Sequence, residues 1–62
     1  FYRRILREAP DFLRKGGMLI LEIGCDQAAA LASMASDEQK YGGIRIVRDL
    51  AGLDRVAVLS VL

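Results

Sequence analysis

Between Gly17 and Gly24 the chain reads Met-Leu-Ile-Leu-Glu-Ile, apolar at every position except Glu22. A short run that is apolar on both of its alternating faces is the pattern of a strand covered on both sides. Such a strand needs two covering layers, and its edges need neighbours. The whole chain has only 62 residues, one small domain at most. A chain of that size buries only about 60% of the surface its unfolded form exposes. Ordering it costs on the order of 1.5 kcal/mol per residue, so pieces this small usually need a staple. One cysteine makes no internal disulfide, and with no histidine a zinc site is nearly excluded. Histidine-dependent general-base and triad chemistry is excluded within the chain. Apolar residues make up 53%. Exchanging the two Tyr for the six Gly raises this to about 60%, against about 45–50% in globular domains. The excess, with a first residue that is Phe1 rather than Met, predicts a piece of a larger core.

Net charge is +1, from nine Lys and Arg against eight Asp and Glu. That balance gives no nucleic-acid footprint. No apolar run approaches the roughly 18 residues of a membrane span. The basic start is followed by a helical charge pattern and not by the apolar stretch of a signal peptide. The expected compartment is the cytoplasm, with no membrane and no direct nucleic-acid partner.

Residues 1–14 place Tyr2, Ile5, Leu6, Ala9, Phe12 and Leu13 at helical spacing. Arg4–Glu8 and Arg7–Asp11 are i, i+4 pairs on the polar side. Pro10 predicts a kink or a restart, and Gly16-Gly17 an end after Arg14 and Lys15 in the last turn. A first strand spans 18–23, and Gly24 turns the chain. Asp26 is the expected N-cap of a second helix whose inward stripe is Ala28, Leu31, Met34 and Ala35. Residues 37–43 read as an exit loop stopped by Gly42-Gly43. A second strand over 44–48 alternates, with Ile44 and Ile46 on one side and Arg45 and Val47 on the other. Residues 49–54 turn around Gly52. A third strand over 55–62 is apolar on both faces, with Ser60 its one polar interior residue.

Strands one and two are joined through a helix, which suits a crossover with both strands parallel. Strand three follows strand two through a short loop and is expected antiparallel to it. Being apolar on both faces, it belongs in the middle. The predicted class is α/β, helix-strand-helix-strand-strand, with sheet order 1-3-2. Strand one is left with a bare apolar edge, which predicts a further strand upstream in a longer parent chain.

This layout resembles the C-terminal part of the Rossmann-like class I methyltransferase fold. Within it, FYRRILREAPDFLRKGGMLILEIGCDQ (1–27) and VRDLAGLDRVAVL (47–59) resemble the HemK/PrmC protein-glutamine methyltransferases. The carriers are a helix, L-x-x-G-G, a strand, L-E-x-G, then D/Q-Q, and a closing D-L-A-G-x-D-R-V. Residues 28–43 match in character only. The resemblance implies that residues 1–62 are one segment, the C-terminal portion of a catalytic domain. The parent would transfer a methyl group from S-adenosylmethionine to the glutamine amide of the Gly-Gly-Gln motif in peptide chain release factors. Its implied partners are the release factor and the upstream part of the same domain. The family's glycine-rich cofactor loop and its Asn-Pro-Pro-Tyr motif are absent here, so no catalytic, cofactor-binding or metal residue is carried over. Alternatives are a related methyltransferase acting on nucleic-acid amino groups, or a stand-alone α/β interaction module that dimerises through strand one.

The stretch LEIGCDQ imitates the start of a cofactor loop, where glycines let backbone approach a ligand. Only Gly24 is present; Asp26 and Ala28 stand at the later glycine positions. Glu22 and Gly24 are the candidates for the edge of a ligand crevice, which open α/β sheets place at strand carboxyl ends. Glu22 is either an acceptor near a substrate or a carboxylate capped at the sheet edge. Cys25, with nothing arranged to lower its pKa, reads as a small turn residue. Arg3, Arg4, Arg7, Arg14 and Lys15 form either an RNA-contacting patch or a solvated helix face; the interleaved Glu8 and Asp11 favour the latter. Asp49, Asp54 and Arg55 flank the turn expected beside Glu22, either as a rim contact or as turn chemistry with an Asp–Arg pair.

Overall fold

A computed structural model describes residues 2–62; Phe1, included in the predicted first helix, lies outside the described residues. Helix α1 spans Tyr2–Glu8. Pro10 lacks an N–H and cannot serve the Leu6 carbonyl, so the helix restarts as a 3-10 turn over Ala9–Phe12. The restart was expected; its consequences correct three readings. Phe12 falls off the buried stripe and is 86% exposed, because a 3-10 turn advances about 120° per residue instead of 100°. Arg4 Nε donates to Glu8 Oε2 at 3.2 Å, but among the described residues Arg7 and Asp11 form no pair, since the i, i+4 register is broken between them. Leu13 is already extended, so Arg14 and Lys15 lie beyond the helix.

Strand β1 spans Met18–Glu22, helix α2 spans Ala28–Glu38, strand β2 spans Tyr41–Arg48 and strand β3 spans Asp54–Val61. The sheet order is β1-β3-β2, with β3 antiparallel to both neighbours, as the patterning predicts. Strands β1 and β2 therefore run the same way. Register places Leu19 and Ile44 on either side of Leu59, and Leu21 and Ile46 on either side of Ala57. These rows form one face, and both helices cover it. Leu6, Ile23, Leu31, Ala35, Ala57 and Leu59 are its buried centre, with Ala28 and Met34 packed against it.

The other face is bare. Met18, Ser60 and Gly43 form one row, Ile20, Val58 and Arg45 the next, and Glu22, Val56 and Val47 the third. Met18 and Ile20 are each 61% exposed. The two-sided burial expected of strands one and three is thus realised on one side only. Ser60, expected as an interior polar residue, is exposed on this face for the same reason.

Two boundaries also move. Asp26 does not cap α2; the cap position is Gln27, with no side-chain bond to the helix. The Gln27 N–H is instead taken by the Gly24 carbonyl at 3.1 Å, which delays the first helical residue. At the far end α2 stops at Gln39, in the left-handed region at φ 57°. The Gly42-Gly43 pair does not stop the chain there. It lies inside β2, where a register shift between Tyr41 and Gly43 absorbs one residue. Tyr41 is drawn into the strand because its hydroxyl donates to the orphaned Leu6 carbonyl at 2.6 Å, while Lys40 Nζ donates to the Arg7 carbonyl at 3.0 Å.

Candidate functional site

The carboxyl ends of β1 and β2 and the start of β3 meet at one end of the sheet. Glu22 stands opposite Val56, and Arg48 opposite Asp54. The Ile23 N–H donates to the Arg55 carbonyl at 2.8 Å, tying the exit of β1 to the 49–54 turn. The expectation that this turn and Glu22 share an edge is borne out.

The turn is internally locked. Asp49 Oδ1 accepts the N–H groups of Ala51 at 2.9 Å and Leu53 at 3.0 Å, and Oδ2 accepts from Arg55 at 3.1 Å. The backbone adds Asp49 N–H to Leu53 carbonyl at 2.8 Å and Gly52 N–H to Asp49 carbonyl at 3.0 Å. Gly52 has φ 82°, a left-handed value that only glycine adopts without strain. Arg48 Nε donates to Asp54 Oδ1 at 3.2 Å across the turn's base. The Leu53 N–H, then the Arg55 guanidinium, hold the Asp49 carboxyl below the usual carboxylate range. This is the turn chemistry and Asp–Arg pair read from the sequence, and it leaves Leu50 fully exposed at the tip.

On the β1 side, Glu22 is exposed on the bare face. Among the described residues its carboxylate makes no ion pair and accepts no hydrogen bond. Gly24 follows in a turn closed by a side chain: Gln27 Oε1 accepts the Gly24 N–H at 2.8 Å. Tyr2 Oη lies 3.1 Å from that same oxygen and 3.1 Å from the Glu22 carbonyl oxygen. A Cβ at Gly24 would stand 3.1 Å from Gln27 Oε1 and 3.4 Å from Asp26 Oδ1. The backbone at Gly24 is thus flanked by the chain's own Gln27 and Asp26 side chains, one of them a carboxylate. Among the described residues no three carboxylate or thiol groups come together to hold a metal.

The remaining candidates are dispersed. Cys25 is an exposed free thiol in the turn. Arg3, Arg4, Arg7, Arg14 and Lys15 are all exposed, and Arg4 is paired with Glu8. Sequence reasoning missed Tyr2, Gln27, Lys40 and Tyr41 as polar anchors. Tyr2 reads as one more member of an apolar stripe, and nothing local announces that its hydroxyl reaches residues 20 and 25 positions away. The Gln three residues after Gly24 is the one available signal.

No protein-family model and no solved structure matches the chain. Its matches are curated proteins. It is 46% identical over 56 residues to the release factor glutamine methyltransferase of Neisseria gonorrhoeae, covering 90% of this chain and 20% of that protein. It is 41% identical over 60 residues to the protein so named in Thermodesulfovibrio yellowstonii, covering 97% and 21%. With that of Gloeobacter violaceus it shares 39% over 56 residues, covering 90% and 20%. The chain spans about one fifth of the length of these relatives.

Proposed function

As a segment homologous to release factor glutamine methyltransferases, about one fifth of their length, the chain supplies a premise from which we propose a function. It is the C-terminal part of an S-adenosylmethionine-dependent enzyme that methylates the glutamine amide of the Gly-Gly-Gln motif in peptide chain release factors. The observation that carries this is the similarity itself, which runs through nine-tenths of the chain or more in these relatives. The sheet supports it: parallel β1 and β2 with an antiparallel β3 between them suit the end of a Rossmann-like methyltransferase sheet. No helix among the described residues is long and apolar enough to cross a membrane, and the cytoplasm is the compartment this function implies.

In this reading the chain contributes form and not methyl-transfer groups. Its bare face and the outer edge of β1 are apolar surfaces to be covered by the upstream part of the same domain. Its locked turn and the Glu22 end wall a crevice whose cofactor site lies elsewhere in that domain, since the glycines of a cofactor loop are replaced by Asp26 and Ala28 after Gly24. Restricting the substrate amide and excluding water are the physical contributions such a wall makes. The test is transfer of a labelled methyl group to an unmethylated release factor, by the longer polypeptide carrying these residues and by residues 1–62 alone. Labelled glutamine in the Gly-Gly-Gln motif with the former and none with the latter is expected. Turnover by residues 1–62 alone overturns the structural role, and no turnover by the longer polypeptide overturns the function.

A further inference from the structure

Backbone groups along an antiparallel pair point alternately toward the partner strand and away from it. The Ile23 N–H donates to the Arg55 carbonyl at 2.8 Å, and the Gly17 carbonyl accepts the Val61 N–H at 2.8 Å. Leu19 and Leu21, in step with these two, therefore turn their N–H and C=O groups toward β3. Met18, Ile20 and Glu22 turn theirs the other way, to the free edge of β1. Such a row is a template for one more strand. Its last carbonyl is already engaged: Tyr2 Oη, from the first turn of α1, stands 3.1 Å from the Glu22 carbonyl oxygen.

The helices fix the side from which a further strand would come. The connection from β1 through α2 to β2 joins parallel strands across the covered face, and its right-handed sense carries the chain from β1 toward β2. Helix α1 lies on that same face and leads into β1. A right-handed crossover through α1 then arrives from the opposite side, which is the free edge. The relatives have the length for it, since this chain spans about one fifth of them. We propose that the strand leading into α1 lies on this edge, parallel to β1, and that Tyr2 ends its pairing at Glu22. The added strand bonds Met18, Ile20 and the Glu22 N–H. The next bond of a parallel ladder would run from one of its N–H groups to the Glu22 carbonyl. The phenol oxygen stands near the distance that nitrogen would need, about 2.9 Å. Pairing that stops there lets the two strands diverge at their carboxyl ends, where open α/β sheets hold a crevice. The proposal rests on the reading that the upstream part of the domain covers this edge, and adds to it a register and one positioning residue.

The test is NMR on the longer polypeptide carrying these residues, reading amide exchange and couplings across hydrogen bonds. In the wild type the Met18, Ile20 and Glu22 amides are expected to be protected and coupled to carbonyl carbons upstream of residue 1. The Glu22 carbonyl carbon couples to no amide. Tyr2→Phe removes the hydroxyl, and Tyr2→Leu clears the ring as well. In these variants one upstream amide should gain a coupling to the Glu22 carbonyl carbon. It should also exchange about two- to tenfold more slowly, the effect of one ordinary hydrogen bond. A phenol that merely stabilises α1 would lower the melting temperature without creating that coupling. No new coupling in either variant overturns the role of Tyr2 alone, as does a wild-type coupling from an upstream amide to the Glu22 carbonyl. Unprotected Met18 and Ile20 amides, or bonding partners that belong to a second copy, overturn the reading of a covered edge together with the proposal.

Discussion

The Tyr41 hydroxyl stands in for an N–H that Pro10 cannot supply. By donating to the Leu6 carbonyl at 2.6 Å it satisfies a backbone group that α1 would otherwise leave without a partner. Tyr41→Phe is expected to cost about 1–3 kcal/mol, the range for stranding a shielded acceptor, measurable as a lower urea midpoint. Burial, and secondarily the nearby Glu38 charge, raise the Tyr41 pKa above the usual tyrosine value. The neutral phenol is therefore the bound form. Its contribution is complete at neutral pH and fades as pH climbs through the raised folded-state pKa. A pH titration of stability should show a fall above the ordinary tyrosine range that Tyr41→Phe removes. Asp49 has the opposite sign. Its carboxyl is depressed by the Leu53 N–H and then by Arg55, so the turn is held at neutral pH and loosens as acid carries the solution down through the lowered value. Loss of exchange protection at the Ala51 and Leu53 amides, their rates rising toward the intrinsic value, is the expected sign; Asp49→Asn should show it already at neutral pH.

Helices, strands and turns owe their positions to different forces. Helix α2 contributes Leu31 and Ala35 to the core, and Leu31 is wholly buried. Leu31→Ala should cost about 2–5 kcal/mol, as for other leucines cut from a packed core. The loss should appear as a drop in denaturation midpoint with no change in which residues are helical by NMR. Gly52 holds its turn through φ alone, with open space around it. Gly52→Ala is therefore expected to cost about 1 kcal/mol through backbone strain and not through collision. A neutral effect would mean that the turn relaxes to another form. Strand alternation in β2 and the central place of β3 are legible in the sequence because side-chain period and two-sided apolarity are local properties. The break at Pro10 is legible for the same reason, since a proline lacks its N–H wherever it stands; the start of α2 was not, because the Gln27 N–H bonds the Gly24 carbonyl and the helix begins at Ala28 without a cap from Asp26.

Across the whole molecule, one sheet face is covered by two helices and the other carries Met18, Ile20, Val47, Val56 and Val58 in open rows. A contiguous bare surface of this kind, beside an unguarded edge strand, favours association. Residues 1–62 alone are expected to sediment as concentration-dependent assemblies, and Met18→Lys/Ile20→Lys to shift them toward monomer. A wild-type monomer that melts cooperatively would contradict the view that this face is made to be covered. From the sequence alone came the α/β class, the strand order, the glycine turn at 49–54 and the kinship with glutamine methyltransferases. Each is carried by residue type and spacing over a few positions. Three-dimensional folding settled which face of β1 and β3 lies bare, where Phe12 points after the 3-10 turn, and how Tyr2, Gly24 and Gln27 close on one another. Those outcomes depend on groups that are neighbours only once the sheet has formed, and no local pattern encodes a contact across 25 residues.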